Sequence, residues 1–532
     1  MNNNDSFLDK NTILAIALSI VFFIGWQFYV QEKYPPQEEN KTQATTAVDQ
    51  STDNVEPSQP VVKTDPKPLN ESTETRSEIQ NAEENFVDFQ GENLSFKISS
   101  RGMGLSDLKL IDYTNRQNEN IHFGTSANKF GNFATLFKGQ PVDFQIHKEG
   151  DNVFVGRGET PEAYFEKRME FTESQYFARV STKVQWKTGT RNLPVETYLG
   201  DVVQKAKKSM FLPAYEGTEF FNISEGSEER ERINSEKSMK GTYTNVTLAS
   251  IGSQYFAVAL KDETSVLPNS QVLYDPESQI ASTQVLHTAM DGKDIFEISY
   301  LAYMGPKKYD ILREIDAHLT QMINYGMFSV LSKPIFSLLK WLYSILQNWG
   351  FSIIVLTILV RMLLLPINVS AFRSMKKMQK IQPQLKAIKE KYKDDAARIN
   401  QETMALMKKE KANPLGGCLP MLLQLPVFFA LYSVLGQSVE LYKSPFIFWI
   451  HDLSFKDPFY VLPISVALLY FLQMNLTPNT TMDPAQAKMM KFIPLLFGFF
   501  MISVPSGLTL YFFVNTVFGI GQQLLLKGQA AA

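Results

Sequence analysis

Between residues 86 and 303 apolar and polar positions alternate in short runs. In 176-YFARVSTKVQW-186, Tyr176, Ala178, Val180, Val184 and Trp186 fall on one face, and Arg179, Lys183 and Gln185 on the other. That period of two is the signature of a half-buried strand. The runs 153-VFV-155 and 296-FEISYLAYM-304 are of the same kind, with turn signals at 100-SRGMG-104 and 274-YDPES-278. They predict a large antiparallel β-sandwich, big enough to hold a core without disulfides. A helix over 307-KKYDILREIDAHLTQMI-323 is expected to close it.

The period then changes. In 334-PIFSLLKWLYSILQNW-349, Ile335, Leu338, Leu339, Leu342, Ile345 and Leu346 form a helical stripe, and Trp341 and Trp349 suit a lipid–water boundary. This reads as an amphipathic helix lying on a membrane, the alternative being the first turns of the span that follows. Apolar runs long enough to cross a bilayer occupy 351–367, 419–436, 459–475 and 492–526. The last has 35 residues broken by 505-PSG-507, so it is expected to form two short spans in a hairpin. With an uncharged run at 12–30, six spans are predicted. That first run could be a cleaved signal peptide, but 25-GWQFYV-30 offers no small-x-small cleavage site, and an uncleaved anchor fits better.

Composition refines the boundaries. Residues 31–85 are poor in large apolar groups, and from Pro35 onward they contain no aromatic residue; such a segment cannot bury enough surface to order itself and reads as a tether. Over 532 residues the net charge is only −3, but it is segregated. The loop 368–417 carries twelve Lys/Arg against five Asp/Glu, and Lys488 and Lys491 precede the last hairpin. The positive-inside rule makes both segments cytoplasmic, with both termini inside and the β-domain outside. Within the loop, Met375, Met378, Ile381, Leu385 and Ile388, then Ala397, Met404 and Met407, predict a helical hairpin over 370–412. Its basic face suits anionic lipid or ribosomal RNA, or is simply solvated. The single Cys418 excludes an intramolecular disulfide framework. The domains are therefore residues 1–30, anchor; 31–85, tether; 86–330, β-sandwich with its closing helix; 331–350, interfacial helix; and 351–532, membrane core with the hairpin.

The membrane segments carry one conspicuous charge, Arg361. The four runs after residue 350 contain no Asp, Glu or His. Carboxylate proton relays and intramembrane proteases of the aspartyl or metal type therefore have no residues to work with. There is no phosphate loop and no HExxH, no cofactor or metal is expected, and the chain reads as a non-enzyme. A charge at the centre of a span costs roughly 2.5–3.5 kcal/mol. Arg361 either snorkels toward the level of Asn368 or faces a wet groove. Thr357 lies one turn back on its face, and Gln424, Gln473, Asn475, Ser503, Ser506, Thr509 and Asn515 recur in the other runs.

The runs 351-FSIIVLTILVRMLLLPINVSAFRSMKKMQKIQPQLKAIKEKYKDD-395, 413-NPLGGCLPMLLQLPVFFALYSVL-435, 446-FIFWIHDLSFKDPFY-460 and 505-PSGLTLYFFVN-515 resemble the YidC/Oxa/Alb family of membrane protein insertases. The leading anchor, tether and exported domain resemble its Gram-negative form. The resemblance implies a membrane α-helical bundle with a five-helix core, plus a periplasmic all-β supersandwich. It also implies a hydrophilic groove open to the cytoplasm and to lipid. The family's groove arginine falls on Arg361, its threonine on Thr357 and its glutamine on Gln424. Two substrate-contact positions fall on Ser503 and Phe512, where the family commonly has aromatic residues (often Trp and Tyr). Implied partners are nascent membrane proteins, the Sec translocon, membrane lipids and the ribosome. Because the chain ends at 527-KGQAAA-532 without a long basic tail, ribosome contact is expected at the cytoplasmic hairpin or through Sec. Two rivals are a small-anion transporter, against which no internal repeat is seen, and a membrane-anchored sugar-acting enzyme using His122, His147, His287 or His318, which form no catalytic motif.

Overall fold

The computed structural model describes residues 84–124, 130–172, 176–187, 193–203, 217–288, 294–326, 328–393, 395–410, 419–476 and 493–528. The expected anchor, the tether up to residue 83, Cys418 and the loop carrying Lys488 lie outside them.

Residues 86–306 fold as sheets of four, nine and six strands, and every strand pairing among the described residues is antiparallel. The alternation at 176–186 becomes the strand Phe177–Trp186, with Ala178, Val180, Val184 and Trp186 buried and Arg179, Lys183 and Gln185 exposed. It sits between Ala163–Phe171 and Ile295–Pro306 in the nine-stranded sheet. The nine- and six-stranded sheets face each other where Val246–Gly252 meets Val195–Val202 and Ile280–His287.

One inward position breaks the apolar rule. On Ala163–Phe171 the inward series is Ala163, Phe165, Lys167, Met169 and Phe171. Lys167 is fully buried and donates to the carbonyls of Gly102 (3.2 Å), Met103 (3.2 Å) and Phe133 (2.5 Å). The turn at 100–104 is thereby tied to the core. Gly102 (φ +74°) is required there, since a Cβ would lie 2.8 Å from that of Ala134.

The closing helix is shorter than its pattern predicts. It splits into α1, Tyr309–Ile315, and a 3₁₀ turn, Ala317–Met322, because Asp316 is extended and its side chain caps the second piece by accepting from His318 N. Behind it, the Glu219 carboxylate receives Arg230 Nη1 at 2.7 Å and Lys307 Nζ at 3.0 Å. Arg230 also donates to the carbonyls of Gln321 and Met322.

The helix expected to lie on a membrane is a separate element, α2, Ser329–Leu346, rather than the first turns of the next helix. Gln347 terminates it at φ 51°, and Asn348 caps α3, Trp349–Leu363, by accepting from Phe351 N at 3.1 Å. Gly350 lies inside α3, where the Phe446 ring occupies the space a side chain would need. The predicted span 351–367 is cut short. α3 meets α4, Leu365–Lys391, at 58°, because Pro366 cannot donate back to Met362. α4 and α5, Ala396–Lys409, form the predicted hairpin. Met378, Ile381 and Leu385 meet Leu406 and Met407 in a core seam, whereas Met404 is exposed.

The remaining helices among the described residues are α6, Leu419–Gln437; α7, Val461–Leu476; α8, Ile493–Met501; and α9, Ser506–Gly528. The last hairpin is asymmetric, since the break at 502–505 leaves α9 with 23 residues. Among the described residues one helix, Ser506–Leu526, is long and apolar enough to cross a membrane alone, and the bent pair α3–α4 adds a second candidate.

The Glu219 cluster makes a pH prediction. Burial pushes its carboxyl up, but Lys307 and Arg230 more than offset this and hold it at about 2, against an ordinary 4.5. A lowered carboxylate contributes stability that is present above about pH 4.5 and lost as pH falls through about 2. The urea midpoint of the detergent-solubilised chain should fall over that window. Glu219→Gln should remove this component and cost about 3–5 kcal/mol at neutral pH, because Lys307 is left buried without its anion.

Candidate functional site

The membrane-side site is organised by α9. Its N-terminus is pinned by Ser506, whose N and Oγ both donate to the Phe455 carbonyl (2.6 and 2.7 Å), and by Gly507 N donating to Leu453 O at 2.9 Å. From there a helical repeat places Tyr511, Asn515 and Gly519 on one face at successive turns. Three other helices send polar groups to that face. Arg361 of α3 donates through Nε to Asn515 Oδ1 at 2.6 Å. Gln424 of α6 donates to the Tyr511 hydroxyl. Gln473 of α7 lies across Gly519, where an added Cβ would be 2.9 Å from Gln473 Nε2 and 3.5 Å from Arg361 Nη2.

Arg361 is only partly buried, whereas Asn515 and Tyr511 are buried. Its hydrogen-bond partner is a neutral amide, and no carboxylate exists in these helical runs. Among the described residues the guanidinium thus has an acceptor for one of its five donors and no carboxylate partner.

The expected site residues do not all converge. Arg361 and Gln424 reach adjacent turns of α9. Thr357 lies on the Arg361 face of α3 but is buried, its hydroxyl donating to the Ile353 carbonyl at 2.6 Å. Phe512 packs in an aromatic cluster with Phe428 (5.4 Å), Phe497 (5.2 Å) and Tyr511 (5.4 Å). Ser503 is exposed in the turn before α9, more than two helical turns short of Asn515. Sequence reasoning noted Asn515 and Gln473 only as scattered polar residues and passed over Tyr511. The four-residue spacing of Tyr511, Asn515 and Gly519 in an otherwise apolar run was the available signal.

At the C-terminal end of α9, Lys376 Nζ of α4 donates to the Leu526 carbonyl at 3.3 Å, a favourable placement for a cation. In the β-domain the histidines have separate neighbours. His287 is buried against Asp262 at 2.9 Å, His318 adjoins Asp316 at 3.0 Å and His122 adjoins Asp107 at 3.7 Å. No group of three or more His, Cys, Asp or Glu among the described residues is arranged to hold a metal.

Residues 87–338 match the family model for the YidC periplasmic domain, and residues 341–531 that for the 60Kd inner membrane protein. The membrane protein insertase YidC of Campylobacter jejuni is 30% identical over 551 residues, spanning 99% of this chain and 97% of its own length. The chain belongs to the YidC family. The YidC of Oleidesulfovibrio alaskensis is 33% identical over 547 residues, covering 97% of this chain and 98% of its own. That of Wolinella succinogenes is 47% identical over 225 residues, 42% of each chain. A solved structure described as an active YidC insertase, with its first transmembrane domain resolved, aligns over 84% of this chain and 92% of its own, at 18% identity and a TM-score of 0.37. In YidC terms the β-sandwich is the periplasmic domain, and the helices from α3 onward belong to the inner-membrane portion.

The crossing at Gly519 is open to a packing test. Gly519→Ala should be near neutral, because both groups it meets are flexible side-chain ends. Gly519→Leu should drive Gln473 and Arg361 apart and lower stability by about 1–3 kcal/mol, read as thermal unfolding in detergent.

Proposed function

We infer that this inner-membrane insertase works by offering hydrophilic segments of new membrane proteins a polar path beside α9, then releasing their apolar helices into lipid. The observation that carries the reading is the Arg361 cation held by Asn515, a neutral partner, at a crossing of α3, α7 and α9. A charge inside a membrane bundle without a counter-ion attracts acidic and polar segments of a passing chain, and its field is screened less there than at a surface. Insertion is driven by burying substrate apolar surface, roughly 0.8 kcal/mol per CH₂, with help from the membrane potential.

The proposed topology has six spans, with both termini and the α4–α5 hairpin cytoplasmic and the β-domain periplasmic. The hydropathy of the sequence and the basic loop support it. The break at 502–505 and the bend at Leu364 shorten the helices beside the site, which favours a locally thinned bilayer. Nascent membrane proteins are the substrates in this reading, with Thr357, Gln424, Ser503 and Phe512 as further contact candidates. The Sec translocon and, through the basic hairpin, the ribosome are proposed partners.

Reconstitution of Arg361 variants with substrates that differ only in tail charge tests the proposal. Arg361→Lys should retain most insertion. Arg361→Ala should slow acidic-tailed substrates most, and Arg361→Glu should be worse still. Normal insertion of an acidic-tailed substrate by Arg361→Ala would overturn the electrostatic role and leave snorkelling as the better account.

A further inference from the structure

The acceptor that holds Arg361 has a chemistry of its own. Asn515 is 6% exposed, and its Oδ1 accepts from Arg361 Nε at 2.6 Å. An aspartate has the same size and would supply the same acceptor, now an ionised one facing a cationic donor, and so a stronger bond. On packing and bond strength alone a carboxylate would therefore be the better partner. It would also cancel the charge, because an Asp beside an Arg is held ionised.

We propose that Asn515 is a specificity-determining positioning residue: its amide keeps the Arg361 guanidinium inside the bundle while leaving its charge free for carboxylates of the substrate. Three observations converge on this. The hydrogen bond uses Nε, so the Nη groups stay on the side of Gly519 and Gln473, where Nη2 would lie 3.5 Å from a Cβ at position 519. The other polar groups at and beside the crossing, Gln473, Gln424 and Tyr511, are uncharged as well. Finally, α9 is fixed along its axis by the Ser506 and Gly507 bonds, so Asn515 is a stationary anchor against which a long, flexible arginine is ordered. Without the anchor, an arginine this close to the end of α3 would swing toward the headgroups.

The inference rests on the reading of Arg361 as a substrate-facing charge, and the test separates the two. Purified full-length protein in vesicles would be given paired substrates with acidic and neutral tails, with thermal unfolding in detergent as the folding control. Asn515→Asp should unfold at or above the wild-type temperature, yet insert the acidic-tailed substrate roughly three- to tenfold more slowly. Its insertion of the neutral-tailed substrate should slow less, so that the ratio of acidic-tailed to neutral-tailed rates falls. Asn515→Ser, which keeps a neutral acceptor, should preserve the preference for acidic tails. If Asn515→Asp handles acidic tails at the wild-type rate, or if both variants lose both substrates equally, Asn515 is only a packing residue and the proposal fails. If Arg361→Ala itself leaves acidic-tailed insertion unchanged, it is the underlying reading of Arg361 that fails.

Discussion

The membrane half of this protein is organised around one interaction: the Arg361 guanidinium, placed in an apolar helix, is hydrogen-bonded to a neutral amide. A carboxylate would satisfy Arg361 and silence it, whereas hydrocarbon would expel it to the headgroups. The structure takes a third course and surrounds it with amides and phenols. Asn515 accepts from Nε, Gln473 sits across Gly519 and Tyr511 engages Gln424 one turn away. This requires α9 to carry polar or small residues every fourth position on one face, and it requires α3 and α7 to cross α9 at that level.

The same helices are tied to the β-domain outside the bundle. Gln254 donates to the Gly436 carbonyl near the end of α6. Tyr442 OH and Lys443 Nζ donate to the carbonyl (3.1 Å) and hydroxyl (2.7 Å) of Thr114, and Arg116 lies 4.3 Å from the Phe455 ring centroid. Phe455 in turn accepts the bonds that pin Ser506. A continuous set of polar contacts therefore runs from a β-hairpin turn, through the loop before α7, to the start of the helix that carries Asn515. The position of α9 is set from the periplasmic side, and the polar stripe is displayed from it.

Much of this was legible in the residues. The strand alternation at 177–186, the helical hairpin with its Met378–Ile381–Leu385 seam, and the break around 505-PSG-507 follow from local periodicity and turn chemistry. Lys167 at an inward strand position was not legible, because its three carbonyl partners come from distant turns. Nor was the split of the closing helix at Asp316, where a side-chain cap outweighed a continuous helical pattern. At the site, Arg361 stood out by its charge alone. Its partner did not, because the pairing of Arg361 with Asn515 spans 154 residues and depends on how α3 crosses α9. Phe512, placed by family resemblance among the substrate contacts, packs inward among Phe428 and Phe497.

Water access to the crossing tests the central claim most directly. In a Cys418→Ser background, a cysteine at Gln473 would be exposed to a membrane-impermeant thiol reagent from each face of sealed vesicles, with Leu468→Cys on the outward face of α7 as the lipid control. A hydrated cationic site open to the cytoplasm predicts rapid labelling at 473 from the cytoplasmic face, slow labelling from the periplasmic face and slow labelling at 468 from both. Labelling at 473 as slow as at 468 from both faces would contradict it, and Arg361 would then be a snorkelling residue in a dry bundle.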